Sequence, residues 1–131
     1  MDWRKEIETD LLKVNVNDKL GNLIVQISRS KRNIFPVVDR YNILEGVVLL
    51  DDVREIMFRT ELYETTSVRD LMTIPPSYID IKESLATVMD TFRKTGAWNL
   101  PVLDNGLYVG FISKSRIYTT YREFLTEFSE E

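Results

Sequence analysis

The stretch Phe35-Pro36-Val37-Val38-Asp39, followed by Gly46-Val47-Val48-Leu49-Leu50 and Asp51-Asp52, returns later as Leu100-Pro101-Val102-Leu103-Asp104, Gly110-Phe111-Ile112-Ser113 and Ser115-Arg116. The prolines are 65 positions apart (101 minus 36) and the glycines 64 (110 minus 46), so the second copy is one residue shorter in the turn between them. A repeat of this length requires the fold to be two copies of one supersecondary unit. Each copy is too small to bury a sufficient core alone, so the halves are expected to pack on each other, as repeats 1–64 and 65–131 of one module.

Composition removes several function classes. The chain has 131 residues, 44% hydrophobic and 29% charged, with net charge -4, so the electrostatic footprint of a nucleic-acid binder is missing. It has no Cys and no His, which excludes disulfides, thiol chemistry, Cys/His zinc sites and imidazole acid/base work by this chain. Its apolar runs reach about five residues against the roughly 20 of a membrane helix. Met1 leads straight into Asp2, Arg4, Lys5 and Glu6, so no signal peptide is expected in this stretch.

Hydrophobic spacing orders the elements. Val14 and Val16 alternate with Asn15 and Asn17 as a short strand, with Asn17 or Asp18 available to cap a helix carrying Leu20, Leu23, Ile24 and Ile27. Phe35 to Asp39 reads as a buried strand opened by Pro36, and Ile43 to Leu50 returns antiparallel after a turn at Arg40-Tyr41-Asn42. Asp51-Asp52, Val53, Ile56 and Met57 then predict a helix with Glu55 in a capping box. Val68 to Met72 is a short helix stopped by Pro75-Pro76, after which Tyr78–Ile81, the helix face Leu85, Val88, Met89 and Phe92, the stop at Gly96 and Trp98–Asp104 repeat the order. Asn105-Gly106 marks a type I′ hairpin, and Ile117, Tyr121, Phe124, Leu125 and Phe128 line a closing helix. The expected fold is α/β (α+β), two βαββα units about a pseudo-twofold axis.

Val68-Arg69-Asp70-Leu71-Met72, the twice-occurring hydrophobic-Pro-Val-hydrophobic-Asp, and the glycine-led strand running to an Asp helix start resemble a tandem pair of cystathionine β-synthase (CBS) domains. A narrower similarity is to the CBS pair at the cytoplasmic C-terminus of bacterial CLC-type chloride channels and exchangers. Its carriers are Glu8–Leu12, Ser30–Val38, Asp51–Phe58 and Gly110–Ser115. The resemblance implies a non-catalytic regulatory module on the cytoplasmic side of the bacterial inner membrane, soluble when isolated. Its partners would be a transporter portion of the same polypeptide, preceding Met1, and a second copy as homodimer, with no nucleic acid and no membrane span in this stretch.

In that family adenine nucleotides occupy two clefts whose helix-opening loop reads Gly-hydrophobic-hydrophobic-Ser/Thr-x-x-Asp. The Asp accepts from ribose hydroxyls, while the hydroxyl and helix N–H groups hold phosphate. Carried over by residue, the motif is split: Asp52 stands at the ribose position but Leu49 replaces the hydroxyl, whereas Ser113 is present and Arg116 replaces the Asp. The preferred adenosine cleft would combine Asp52 and Asp51 with Ser77, Ala97 and Trp98. The second, suited to an anion or phosphate, would combine Ser113, Lys114 and Arg116 with Arg32, Asn33 and Leu12. No cofactor is required and no metal is expected; AMP, ADP or ATP is the implied ligand.

Plainer roles fit the same residues. Asp51, Asp52, Ser113 and Ser115 suit helix caps, Trp98 suits packing beside the core, and Lys114, Arg116 and Arg32 suit solvated surface. Three functions therefore stand open: a nucleotide-sensing regulator of a chloride transporter; a structural dimerisation module with vestigial clefts; and the CBS pair of another transporter or of an enzyme. Catalysis by this chain itself has no motif to support it.

Overall fold

The computed structural model describes residues 2–129. In chain order it contains β1 (Val14–Asn15), α1 (Leu20–Arg29), β2 (Ile34–Val38), β3 (Leu44–Leu49), α2 (Leu50–Val53), α3 (Val68–Leu71), β4 (Ile79–Asp80), α4 (Leu85–Thr95), β5 (Asn99–Asp104), β6 (Leu107–Ser113) and α5 (Lys114–Ser129), with 3-10 turns at Trp3–Glu6 and Thr60–Leu62. The strands form two three-stranded sheets, ordered β1-β2-β3 and β4-β5-β6. The mixed α/β class and the doubled strand–helix–strand–strand order therefore match the repeat.

The chain divides into two compact units, and neither is one continuous stretch. The first-repeat unit is Asp10–Pro75 with Gly106–Tyr108; the second-repeat unit is the lead through Thr9 with Pro76–Asn105 and the chain from Val109 onward.

In the first-repeat unit β1 runs parallel to β2, pairing Val14 with Val37, and β2 runs antiparallel to β3, pairing Pro36 with Val47. The parallel step needs the crossover helix α1. Leu20 and Leu23 turn that helix onto a core containing Phe35, Val37, Val48 and Val53, all fully buried. Asp39 Oδ1 closes the β2–β3 turn by accepting from the Tyr41 and Ile43 N–H groups at 2.8 and 3.0 Å, and Asn42 takes a left-handed φ of 66°. Met72 and Thr73, just past α3, lie along β3: Val47 and Thr73 exchange two backbone hydrogen bonds at 2.9 and 2.7 Å.

α2 is shorter than the spacing predicts. It stops at Val53, and Ile56 reaches the core through successive turns, as do Leu62 and Tyr63. The Tyr63 hydroxyl donates to the Met57 carbonyl. Apolar residues three and four apart are satisfied equally by consecutive turns, so the periodicity did not require a continued helix. Leu49, with no capping oxygen, stands at the N-cap, and Asp51 and Asp52 fall in the first turn, where carboxylates favour the helix dipole. Similarly, Lys19 rather than Asn17 or Asp18 precedes α1, and its N–H donates to Asn22 Oδ1 at 2.9 Å.

Tyr108 is buried in this unit, and burial pushes its phenol well above its ordinary value, Asp10 reinforcing the shift and Arg32 opposing it. An unfolded tyrosine loses its proton near pH 10 while the folded one keeps it. Its contribution to stability is thus complete below about pH 10 and declines as pH rises beyond that. Urea midpoints measured across the alkaline range should fall less steeply for Tyr108→Phe than for the parent; parallel curves would refute the assignment.

In the second-repeat unit β4 runs parallel to β5, with Ile79 beside Val102, and α4 is the crossover. Ser84 caps α4 by accepting from Thr87 N–H at 3.2 Å, and Gly96 ends it in the left-handed conformation, φ 67°. Asn105 and Gly106, φ 52° and 83°, make the two-residue turn into β6 that Asn-Gly predicts. The core gathers Ile79, Val88, Phe92, Val102 and Ile112, and Trp3 from the lead completes it at 1% exposure.

Candidate functional site

Both units bring the expected site residues to one end of a sheet. In the second-repeat unit β6 closes at Ser113 and α5 opens at Lys114, beside the start of β5; the Lys114 N–H donates to the Trp98 carbonyl at 2.9 Å. The Lys114 ammonium lies 5.3 Å from the centroid of the Trp98 ring, a cation–π distance. Parallel pairing of β4 with β5 carries half-buried Ser77 toward the same sheet end, where half-buried Ala97 precedes β5. Trp98 is 72% exposed, so it is not a core residue.

Ser113 caps α5: its Oγ accepts from Arg116 N–H at 3.1 Å and lies 3.0 Å from Ser115 Oγ. The Arg116 guanidinium is held by the Glu6 carboxylate of the lead, which raises its pKa further. Glu6 and Glu8 stand on the same groove, of about 460 Å3, as Ser113, Ser115 and Arg116. The cation expected to receive phosphate therefore already has a carboxylate partner.

The first-repeat unit repeats the layout with different chemistry. The Leu50 N–H, opening α2, donates to the Asn33 carbonyl at 2.9 Å, just as Lys114 does to Trp98. Parallel pairing of β1 with β2 brings half-buried Leu12 to this end. Arg32 Nη1 meets Asp10 Oδ1 at 2.7 Å, and Asp51 Oδ1 meets Arg54 Nη2 at 2.6 Å with 80% of its side chain exposed. Asp52 is exposed beside it.

These placements group the residues by repeat. Ser77, Ala97 and Trp98 share a sheet end with Ser113, Lys114 and Arg116, although the resemblance divides them between clefts; Asp51 and Asp52 share one with Leu12, Arg32 and Asn33. Sequence reasoning missed Glu6 and Asp10, the carboxylates on Arg116 and Arg32, because the pairs join residues far apart in sequence with no local spacing to mark them.

The CBS domain family model matches residues 5–59 and 68–123, nearly the whole chain in two copies. The chain belongs to the CBS-domain family. Each match takes in one strand with an interior proline, Pro36 or Pro101, and one with an interior glycine, Gly46 or Gly110, so the repeat read from sequence is a pair of CBS motifs. No curated protein matches it by sequence. Among solved structures, the CBS domain of a CBS-domain-containing membrane protein from Sphaerobacter thermophilus aligns with TM-score 0.74 at 19% identity, covering 91% of this chain and 86% of the other. CBSX2 in complex with AMP aligns with TM-score 0.71 at 20% identity, covering 94% and 97%. The CBS domain of a bacterial CNNM/CorC family Mg2+ transporter in complex with ATP aligns with TM-score 0.72 at 14% identity, covering 88% and 82%. These likenesses concern the CBS fold. No helix among the described residues is long and apolar enough to cross a membrane.

Proposed function

We propose that this CBS pair is a regulatory module without catalysis of its own, which senses an adenine nucleotide and biases a chloride channel or exchanger to which it is joined at the cytoplasmic face of the bacterial inner membrane. Two copies would pair as a homodimer. The observation that carries the sensing role is Trp98, an exposed ring at the opening of β5 with the Lys114 ammonium over it. A free aromatic face takes a base, and a neighbouring cation suits phosphate. Asp52 remains the proposed ribose acceptor. The AMP and ATP complexes among the structural neighbours support an adenine nucleotide; the chloride assignment rests on the motif similarity over Glu8–Leu12, Ser30–Val38, Asp51–Phe58 and Gly110–Ser115. A nucleotide regulates only by binding two arrangements of the module with different affinity.

Calorimetric titration with AMP, ADP and ATP tests this. Saturable binding is expected, weakened about tenfold or more by Trp98→Ala and by Asp52→Ala, a loss of roughly 1.4 kcal/mol or more. With Trp3 buried and Trp98 exposed, nucleotide should also change the emission of Trp98. Silence up to millimolar nucleotide would reject the sensor and leave the structural dimerisation module. That alternative is favoured by Leu49 in place of a hydroxyl and by Glu6 already holding Arg116. The codons upstream of Met1 test the chloride assignment: apolar helices of a channel support it, and any other parent rejects it.

A further inference from the structure

In the second-repeat unit, the groove holding Glu6 and Arg116 continues along α5. A neighbouring depression of about 250 Å3 shares Glu6, Thr120 and Glu123 with it and adds Asp2, Lys5, Phe124 and Glu127. Together they run from Ser113 to Glu127, roughly 20 Å of helix at 1.5 Å per residue. Asp2, Glu6, Glu8, Glu123 and Glu127 line them with Lys5 and Arg116; Asp2 is already paired with Arg4, and Glu6 with Arg116. Neither Glu123 nor Glu127 has a cation partner among the described residues.

The far end of this acidic channel is apolar. Ile117, Tyr121, Phe124 and Phe128 recur at spacings of 4, 3 and 4 along one stripe of α5. The stripe begins in the core at buried Ile117 and continues beyond it, leaving Phe124, Leu125 and Phe128 at 37%, 42% and 69% exposure. Phe124 and Phe128 have ring centroids 6.2 Å apart, a contact made between themselves in the open. An apolar stripe beside the unpaired carboxylates Glu123 and Glu127 fits a partner carrying the opposite sign. A second copy would set the same carboxylates against one another in a chain of net charge -4.

We propose that this groove docks a basic peptide segment of a partner protein, its lysines or arginines along Glu123 and Glu127 and an apolar anchor on Phe124 and Phe128. Nucleotide binding plays no part in this, so the groove stands or falls separately from the sensing role. The probe is a fluorescein-labelled amphipathic lysine–leucine peptide of about 15 residues, long enough to span the groove, with a glutamate–leucine peptide as control, titrated with the whole chain by fluorescence polarisation. Saturable binding of the basic peptide is expected, at least about tenfold weaker for Glu123→Lys/Glu127→Lys and for Phe124→Ser/Phe128→Ser, and weakened by added salt. Circular dichroism should show both variants folded, since all four positions are exposed. Equal affinity for parent and variants, or for the two peptides, would overturn the assignment. So would sedimentation showing a dimer that Phe124→Ser/Phe128→Ser dissolves, because the occupant would then be a second copy.

Discussion

Trp3→Ala should lower the unfolding free energy by about 3–5 kcal/mol, the range for removing a buried tryptophan. Trp3 stands near the start of the chain, where residues are commonly loose, yet it is 1% exposed within the cluster of Val88, Phe92 and Ile112. Its Nε1–H donates to the Glu83 carbonyl at 2.7 Å, and Arg4 fastens the same turn through the Ile81 carbonyl and, at 3.0 Å, the Glu83 carbonyl. Two further backbone bonds, Glu8 N to Phe111 O at 2.7 Å and Phe111 N to Glu8 O at 2.9 Å, hold the lead to β6. Since whole domains are stable by only about 5–15 kcal/mol, the variant should be largely unfolded at moderate urea. Urea melts followed by circular dichroism measure it. Trp3→Phe, which keeps most of the packing and loses the indole donor, should lose about 1–2 kcal/mol. A Trp3→Ala loss below about 1 kcal/mol would mean that the lead does not close this core.

Gly110→Ala should cost about 3 kcal/mol, unusually much for adding one methyl group. A Cβ at Gly110 would stand 2.4 Å from the Glu8 carbonyl oxygen and 2.7 Å from Ile7 Cγ2. The oxygen is backbone, fixed by its bond to Phe111, so relief requires parting the lead from β6. Gly46 is the same position of the first repeat, and its Cβ would meet the Thr73 carbonyl oxygen at 2.8 Å and Met72 Sδ at 3.1 Å. The Thr73 oxygen is likewise fixed, by its bond to Val47, but at 2.8 Å the overlap is shallower than the 2.4 Å approach at Gly110 and the Met72 side chain can shift, so Gly46→Ala should be milder, about 1–2 kcal/mol. The ranking is testable by thermal melts of the two variants; Gly46→Ala proving the worse would contradict the close approach at Gly110.

Much of the fold was legible because it depends on local rules. The two-residue alternation, the three-and-four spacing of Leu85, Val88, Met89 and Phe92, Gly96 as a left-handed stop and the Asn105-Gly106 turn all act within a few residues. α2 was less legible, since Val53, Ile56 and Met57 can face a core from a helix or from turns, and the packing of Leu62 and Tyr63 settled it for turns. The candidate site was legible in residue type but not in grouping. Ser113 is a helix cap, as its plainer reading supposes, and Trp98 is exposed although its place beside a buried strand suggested packing.

The sequence by itself determined that there are two copies of one unit, the order of strands and helices in each, and that the copies differ at Leu49 against Ser113 and Asp52 against Arg116. Tertiary structure decided what closes each unit. Ile7 and Glu8, near the start of the first repeat, lie on Gly110 of β6, while Met72 and Thr73, near the start of the second, lie on Gly46 of β3. Periodicity marks which face of an element is apolar, but it does not say which distant backbone will come to rest there. Two tryptophans of equal hydrophobicity therefore have opposite fates: Trp3 fills a core through a turn bonded to Glu83, and Trp98 is left at a sheet end beside Lys114.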